Sequence, residues 1–121
     1  MWPGFFRQGI YLALDACYAI EEYGRKLFNL TRVPLLICVV VVGNVLPIVE
    51  SPHAPGGFLG KAIVGKADAH IARVATDVAA HGVDEPLPCM PEKWGALESF
   101  TELVVRDEGQ VLPLAYFMVD V

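Results

Sequence analysis

The sequence is poor in cysteine and lacks any paired cysteine motif. Cys17, Cys38 and Cys89 are odd in number and far apart, and no Cys-x-x-Cys pair occurs among the 121 residues. A disulfide framework needs an even set of cysteines, and a structural zinc site needs closely spaced pairs of ligands. The pattern therefore predicts a reducing, intracellular compartment and no metal site, with the cysteines as core or neutral residues.

Clustered basic charge and a signal peptide are also lacking. The chain has 9 Lys and Arg residues against 14 Asp and Glu residues, a net charge of −5, and no basic run. Phosphate contacts need clustered Lys and Arg, so we expect no direct binding of nucleic acid. The opening MWPGFFRQG does not combine a basic segment with a following apolar one, so we expect no signal peptide.

Residues 33–49, VPLLICVVVVGNVLPIV, carry no charge. These 17 residues are fewer than the roughly 20 that a membrane helix needs, and β-branched Val and Ile dominate them. Pro34 and Pro47 also disfavour a helix. We expect two strands or one long bent strand, buried on both faces, with Gly43 and Asn44 as a bend or bulge. A membrane-associated protein is the alternative interpretation of this stretch, and we expect no membrane partner.

The spacing of apolar residues after Asp15 predicts an amphipathic helix. The Asp15 side chain can cap the first turn by accepting a bond from a backbone N–H group. Ala16, Ile20, Tyr23 and Leu27 recur at helical spacing, so we expect them to share the buried face.

The remaining segments predict loops and a closing hairpin. Residues 50–70 hold four glycines and two prolines, which is typical of a long loop. Residues 71–80 fit a helix or a strand, and residues 81–97 are rich in breakers and typical of irregular structure. Strands over 100–106 and 111–121, joined by a glycine-containing turn, predict a hairpin. The fold class expected from these elements is α+β.

Four stretches of the chain carry a family resemblance. They are FFRQGIYLA (5–13), LICVVVVGNV (36–45), PGGFLGKAIVGKAD (55–68) followed by HGVDEPLP (81–88), and TELVVRDEGQVLPLAYFMV (101–119). In this order they resemble the second half of the catalytic domain of poly(ADP-ribose) polymerases. The family segments are Gly-x-Gly-Ile-Tyr-Phe-Ala, a central strand ending in Gly-Asn, a glycine-rich loop with Gly-Val-x-x-Pro, and a closing Glu-x-x-Val-x-Asp-x-x-Gln-Val.

The resemblance implies a fold and an activity. The fold would be ADP-ribosyltransferase-like, with mixed and antiparallel sheets and one amphipathic helix, and residues 1–121 would be a partial catalytic domain without the N-terminal half. The activity would be that of a glycosyltransferase that uses NAD as substrate, transfers ADP-ribose to protein acceptors and releases nicotinamide. A nuclear location and a partner chain that supplies the missing half are also implied. The alternative is a non-catalytic interaction module built on the same scaffold.

Four residues are the candidate site under this resemblance. Glu102 matches the catalytic Glu, Tyr11 the nicotinamide-stacking Tyr, and Gly9 the glycine before Ile-Tyr. Tyr23, after a one-residue shift, matches a second stacking Tyr. Cleavage of the nicotinamide–ribose bond builds positive charge on the sugar, which a neighbouring carboxylate stabilises. The residues alone, without the resemblance, favour an ordinary strand aromatic for Tyr11 and an ordinary solvated strand residue for Glu102.

The match has departures as well. Ala19 stands where the family places a Ser that bonds the nicotinamide amide, and Arg7 stands where the first Gly of the motif lies. The family His precedes the Gly-Ile-Tyr segment, whereas His53, His70 and His81 all follow Tyr11. We therefore expect these three to be loop or surface residues.

Overall fold

The computed structural model describes residues 2–4, 7–48, 61–75, 90–91 and 99–121. Within these residues the chain is α+β, as expected, with most residues in strands and one helical segment. That segment begins as α1 (Ala16–Tyr18) and continues as a π-helix over Ala19–Leu27. The strands are β1 (Trp2–Gly4), β2 (Arg7–Ala13), β3 (Arg32–Val40), β4 (Val45–Ile48), β5 (Ala69–Ala75), β6 (Met90–Pro91), β7 (Ser99–Val105) and β8 (Val111–Asp120).

The described strands form two sheets. The main sheet has the order β1-β2-β7-β5-β4, and β6 pairs with one end of β5. Its pairs are antiparallel except for β4 with β5, which is parallel. The second sheet, which we call the ribbon, is the antiparallel pair of β3 and β8.

The predicted closing hairpin is wrong in its pairing. Both strands and the turn between them are present, but β7 lies between β2 and β5 in the main sheet while β8 pairs with β3 in the ribbon. A 3₁₀ turn over Glu108–Gln110 joins them, and Asp107 and Gln110 cap it reciprocally. Asp107 Oδ1 accepts from the Gly109 N–H at 2.8 Å, and Gln110 Oε1 accepts from the Asp107 N–H at 2.9 Å. This closed turn carries the chain out of the main sheet instead of folding β8 back onto β7.

The helix begins where the sequence predicted, but its buried face differs. Asp15 is the N-cap, and its Oδ1 accepts from the Tyr18 N–H at 3.1 Å. Ala16 is exposed, whereas Tyr18, Glu22 and Gly24 are buried. From Ala19 onward the backbone follows π-helical geometry, in which residues five apart are bonded and lie above one another. Ile20, Tyr23 and Leu27 are half-buried, so the α-helical spacing was wrong for Ala16 and missed the three buried residues.

The uncharged stretch at residues 33–49 forms two strands in different sheets, β3 and β4. The predicted bend is confirmed, since Gly43 has φ of +57°, in the left-handed region that glycine tolerates. The prediction of burial on both faces is wrong for β3, because Leu36 is 60 % exposed and Val33 is the only fully buried residue of that strand. The prediction is wrong for β4 as well, since Val45, Leu46 and Pro47 are exposed although the strand pairs with β5.

The main sheet packs on both faces. On one face of the sheet, Ala72, Val74 and Val104 pack against the helix and against Ile63. Ala69, Leu103 and Val105 lie on the other face. His70 is fully buried, so the expectation of a surface or loop histidine is wrong for it. A strand alternates its side chains between faces, which places His70 on the face of Ala72 and Val74.

Other expectations fall partly outside the described residues. Residues 71–75 are strand, but 76–80, most of 81–97, His53 and His81 lie outside, as does much of the predicted loop at 50–70. Within the described part of the chain, the helical segment is too short and too polar to cross a membrane.

Candidate active site

Glu102 lies in the middle of the main sheet and is buried. It is 1 % exposed, so the alternative of an ordinary solvated strand residue is excluded. On β7 it stands opposite Ala13 of β2 and Ala72 of β5. Cross-strand side chains lie about 5 Å apart, so an alanine on each side leaves lateral room around the carboxylate. The sheet thus presents one acidic group between two small neighbours.

Two tyrosines of the helix donate to this carboxylate. The Tyr18 hydroxyl donates to Glu102 Oε1 at 2.7 Å, and the Tyr23 hydroxyl donates to the same oxygen. Both reach it because they are five residues apart in a segment that turns into a π-helix, where such residues lie on the same side. The Tyr18 ring also stacks on Phe100, with a centroid distance of 4.7 Å, and meets the Tyr23 ring edge-on at 5.8 Å.

The second carboxylate oxygen is in a different situation. Glu102 Oε2 is buried and accepts no hydrogen bond from any described residue. Leaving a buried acceptor unpaired costs about 1–3 kcal/mol, more for a charged group, and such atoms in native structures call for a specific explanation. A ligand that donates a hydrogen bond to Oε2 supplies one.

Two adjoining hollows lie beside Glu102. The smaller, of about 130 Å³, is lined by Tyr11, Leu12, Ala13, Ala19, Tyr23 and Glu102. The larger is a cleft of about 720 Å³ lined by Gly9, Ile10, Tyr11, Tyr23, Leu27, Phe28, Arg106, Asp107 and Glu108. Tyr11 and Tyr23 line both hollows and so form the boundary between them. A ligand that fills the cleft and the smaller hollow would therefore contact both tyrosines and Glu102.

Three consecutive charged residues, Arg106, Asp107 and Glu108, also line the cleft. Arg106 donates from Nη2 to the carbonyls of Gly65 at 3.0 Å and Ala67 at 2.6 Å, which anchors it to the segment before β5. Asp107 and Glu108 follow it in the exposed turn. Elsewhere the cleft is aromatic and aliphatic. No group of three or more His, Cys, Asp or Glu side chains suited to a metal ion occurs among the described residues.

The four residues singled out from the sequence are brought together. Gly9 and Tyr11 of β2, Tyr23 of the helix and Glu102 of β7 all line one or both hollows. Ala19, at the position where the family has Ser, also lines the smaller one. Gly9 has a packing role as well, because a Cβ there would lie 2.6 Å from the Val105 carbonyl oxygen.

Two residues of this region were missed by sequence reasoning. Tyr18 was not singled out, because five-residue spacing from Tyr23 carries no meaning in an α-helix. His70 pairs with Val104, two residues beyond Glu102 on β7 and on the same face. Diagonal neighbours of this kind are about 7–8 Å apart. The signal for His70 would have been the apolar neighbours Ala69, Ile71 and Ala72, which are typical of a buried strand.

Comparisons with known protein families, with curated proteins and with solved structures found no match to this chain. The resemblance to poly(ADP-ribose) polymerases therefore stays a prediction that rests on the four sequence segments.

Proposed function

We propose that this chain carries the site of an NAD-dependent protein ADP-ribosyltransferase of the poly(ADP-ribose) polymerase type. The observation that carries the proposal is the buried Glu102 carboxylate, which lies at a hollow bordered by Tyr11 and Tyr23. The two sheets and the helix would then form an ADP-ribosyltransferase-like scaffold. A nuclear location and a partner chain that completes the domain belong to the same proposal.

The proposed reaction breaks one bond and forms one. The bond between the ribose C1′ and the nicotinamide nitrogen breaks, its electron pair leaves with nicotinamide, and the pyridinium becomes a neutral ring. Positive charge develops on C1′ and the ring oxygen of the sugar, as in glycoside cleavage. The fixed negative charge of Glu102 stabilises that transition state more than the ground state. A nucleophilic oxygen of the acceptor protein then bonds to C1′, and a hydroxyl acceptor loses its proton.

The tyrosines have a different role in this proposal. Tyr11 and Tyr23 border both hollows, so the nicotinamide ring would lie against their faces. The positively charged ring of NAD is attracted to the negative face of a phenol ring, and stacking fixes the direction in which the leaving group departs. Glu102 Oε2 would accept a hydrogen bond from a ribose hydroxyl.

The test is release of nicotinamide from NAD by the purified chain, followed by chromatography, with transfer of label from NAD to protein measured in parallel. We expect release with NAD and none with NADH, because the reduced ring is uncharged and cannot leave as neutral nicotinamide. Absence of both NAD binding and nicotinamide release, by the chain alone and by the chain together with a polypeptide that supplies the N-terminal half of the domain, would overturn the proposal.

A second candidate function is a non-catalytic interaction module, and the ribbon favours it. Large apolar side chains are exposed along both of its strands, with Leu36 60 %, Leu114 62 % and Phe117 50 % exposed. Leu36 pairs with Tyr116, which is 61 % exposed, so these two side chains are neighbours on one face of the ribbon, whereas Phe117 pairs with Leu35 on the opposite face. Exposed apolar patches of this kind mark protein interaction sites, and an edge strand can accept another strand.

Under this second function, the ribbon binds a second protein chain without dependence on NAD. We expect Leu114→Lys to weaken that association by about tenfold or more, because a charge replaces an apolar contact in the middle of β8. Sedimentation velocity over a range of concentrations measures it, and Lys66→Ala, outside the ribbon, is the control. A wild-type chain that sediments as a monomer at every concentration, alone or with cell extract, would argue against this function.

A further inference from the structure

The two tyrosine hydroxyls act on the same carboxylate oxygen. A carboxylate oxygen has two lone pairs, and Glu102 Oε1 accepts from both Tyr18 and Tyr23. That oxygen is therefore saturated. Oε2 accepts from no described residue, although it is buried. The carboxylate thus has one oxygen held by two hydroxyl groups and one that accepts no hydrogen bond from a described residue.

Tyr18 and Tyr23 differ in whether a ligand in the hollows can contact them. Tyr23 lines both hollows, so its ring is available to a ligand. Tyr18 lines neither hollow and is 1 % exposed. Its ring packs against Phe100, in the core beneath the site. A ligand therefore meets Tyr23 directly, whereas Tyr18 acts on it through Glu102.

We infer that Tyr18 is a positioning residue, whose hydroxyl orients Glu102 so that Oε2 is the atom presented to the substrate ribose. The inference rests on the proposed NAD reaction. Burying a phenol hydroxyl costs free energy unless it is bonded, and a Phe would satisfy the stack on Phe100 equally well. The Tyr18 hydroxyl, unlike its ring, adds a second hydrogen bond that fixes the orientation of the Glu102 carboxylate.

Orientation matters because a carboxylate on a strand can rotate about its terminal bond. That bond joins tetrahedral and planar carbons, and its torsional preference is broad. With Tyr23 as sole donor, Oε1 is tied at one point and Oε2 can swing. Tyr18 reaches the same oxygen from deeper in the core and removes that freedom. Transition-state stabilisation by a fixed charge depends on such preorganisation.

The test is steady-state release of nicotinamide from NAD by the full chain and by Tyr18→Phe. We expect kcat to fall by about tenfold to a hundredfold with KM changed by less than about twofold, the pattern of a misplaced group that acts in the transition state. Tyr116→Phe, which removes an exposed hydroxyl on the ribbon, is the matched control and should retain the wild-type kcat. In a Glu102→Gln background, Tyr18→Phe should have no further effect, because it acts through the carboxylate.

The outcomes separate the two proposals. An active wild type with Tyr18→Phe equal to Tyr116→Phe would overturn the positioning role and leave the NAD reaction standing. A wild type that neither binds nor cleaves NAD would overturn both. If Tyr18→Phe does not fold, 4-fluorophenylalanine at position 18 keeps the ring and nearly the volume of the hydroxyl while removing the hydrogen-bond donor. An unchanged kcat in that protein would overturn the inference.

Discussion

Under the proposed reaction, we expect replacement of Glu102 with Gln to lower the rate of nicotinamide release from NAD by about a hundredfold to a thousandfold. This is the size of effect seen when one fixed electrostatic group is removed from a buried site. The amide has the volume of the carboxylate, and its oxygen can still accept from Tyr18 and Tyr23. The variant therefore keeps the hydrogen bonds that hold the side chain and loses the negative charge. Because that charge acts in the transition state, kcat should carry most of the loss.

The measurement compares kcat and KM for nicotinamide release with the urea midpoint of each protein. Glu21→Gln is the matched control, since Glu21 is on the same helix as the tyrosines but is partly exposed and pairs with Arg25. An exposed pair of this kind contributes between about 0 and 1 kcal/mol, so the control should fold and react as the wild type does. Equal rates for Glu102→Gln and wild type would remove Glu102 from the reaction.

Gly9→Ala is expected to destabilise the fold by about 1–3 kcal/mol, the usual cost of an extra methyl group in a closely packed place. A Cβ at this position would lie 2.6 Å from both Val104 Cγ1 and the Val105 carbonyl oxygen. The carbonyl belongs to the backbone of β7, so relief requires β2 and β7 to separate. Urea unfolding followed by circular dichroism measures the change in free energy.

The control for this effect is Gly109→Ala in the exposed 3₁₀ turn. A Cβ there has Asp107 Oδ1 as its nearest atom, at 3.3 Å, and this atom belongs to an exposed side chain. We expect a change within about 0.5 kcal/mol, as for most surface substitutions. Gly9→Ala should also reduce nicotinamide release beyond its loss of stability, because Tyr11 follows on the same strand. A Gly9→Ala protein as stable as wild type would show that a methyl group fits between β2 and β7 without cost.

Local signals in the sequence predicted local structure well. The Asp15 cap and the bend at Gly43 depend on a few neighbouring residues, and both are present. Strand pairing depends on residues far apart in the chain, and the sequence did not predict that β7 lies between β2 and β5. For the same reason the burial of Glu102 and His70 was missed, since each is buried by strands distant in sequence.

The sequence likewise predicted only part of the candidate site. Gly9, Tyr11, Tyr23 and Glu102 came from motif resemblance, and the fold brings all four to adjoining hollows. The position of Tyr18 beside Tyr23 depends on the π-helix, because residues five apart do not share a face in the α-helix that the sequence predicted. The exposure of the ribbon could not be predicted either, because a run of Val, Leu and Ile is typical of a buried strand.

The pairing of β3 with β8 also has a consequence for synthesis of the chain. Arg32 pairs with Asp120 at one end of the ribbon, and Val40 pairs with Val111 at the other. Contacts so distant in sequence form slowly, because a long loop must close before they are made. On the ribosome, β3 leaves the exit tunnel long before its partner strand exists. The nascent chain therefore presents an unpaired and mostly apolar strand throughout that interval, when capture by a chaperone competes with aggregation.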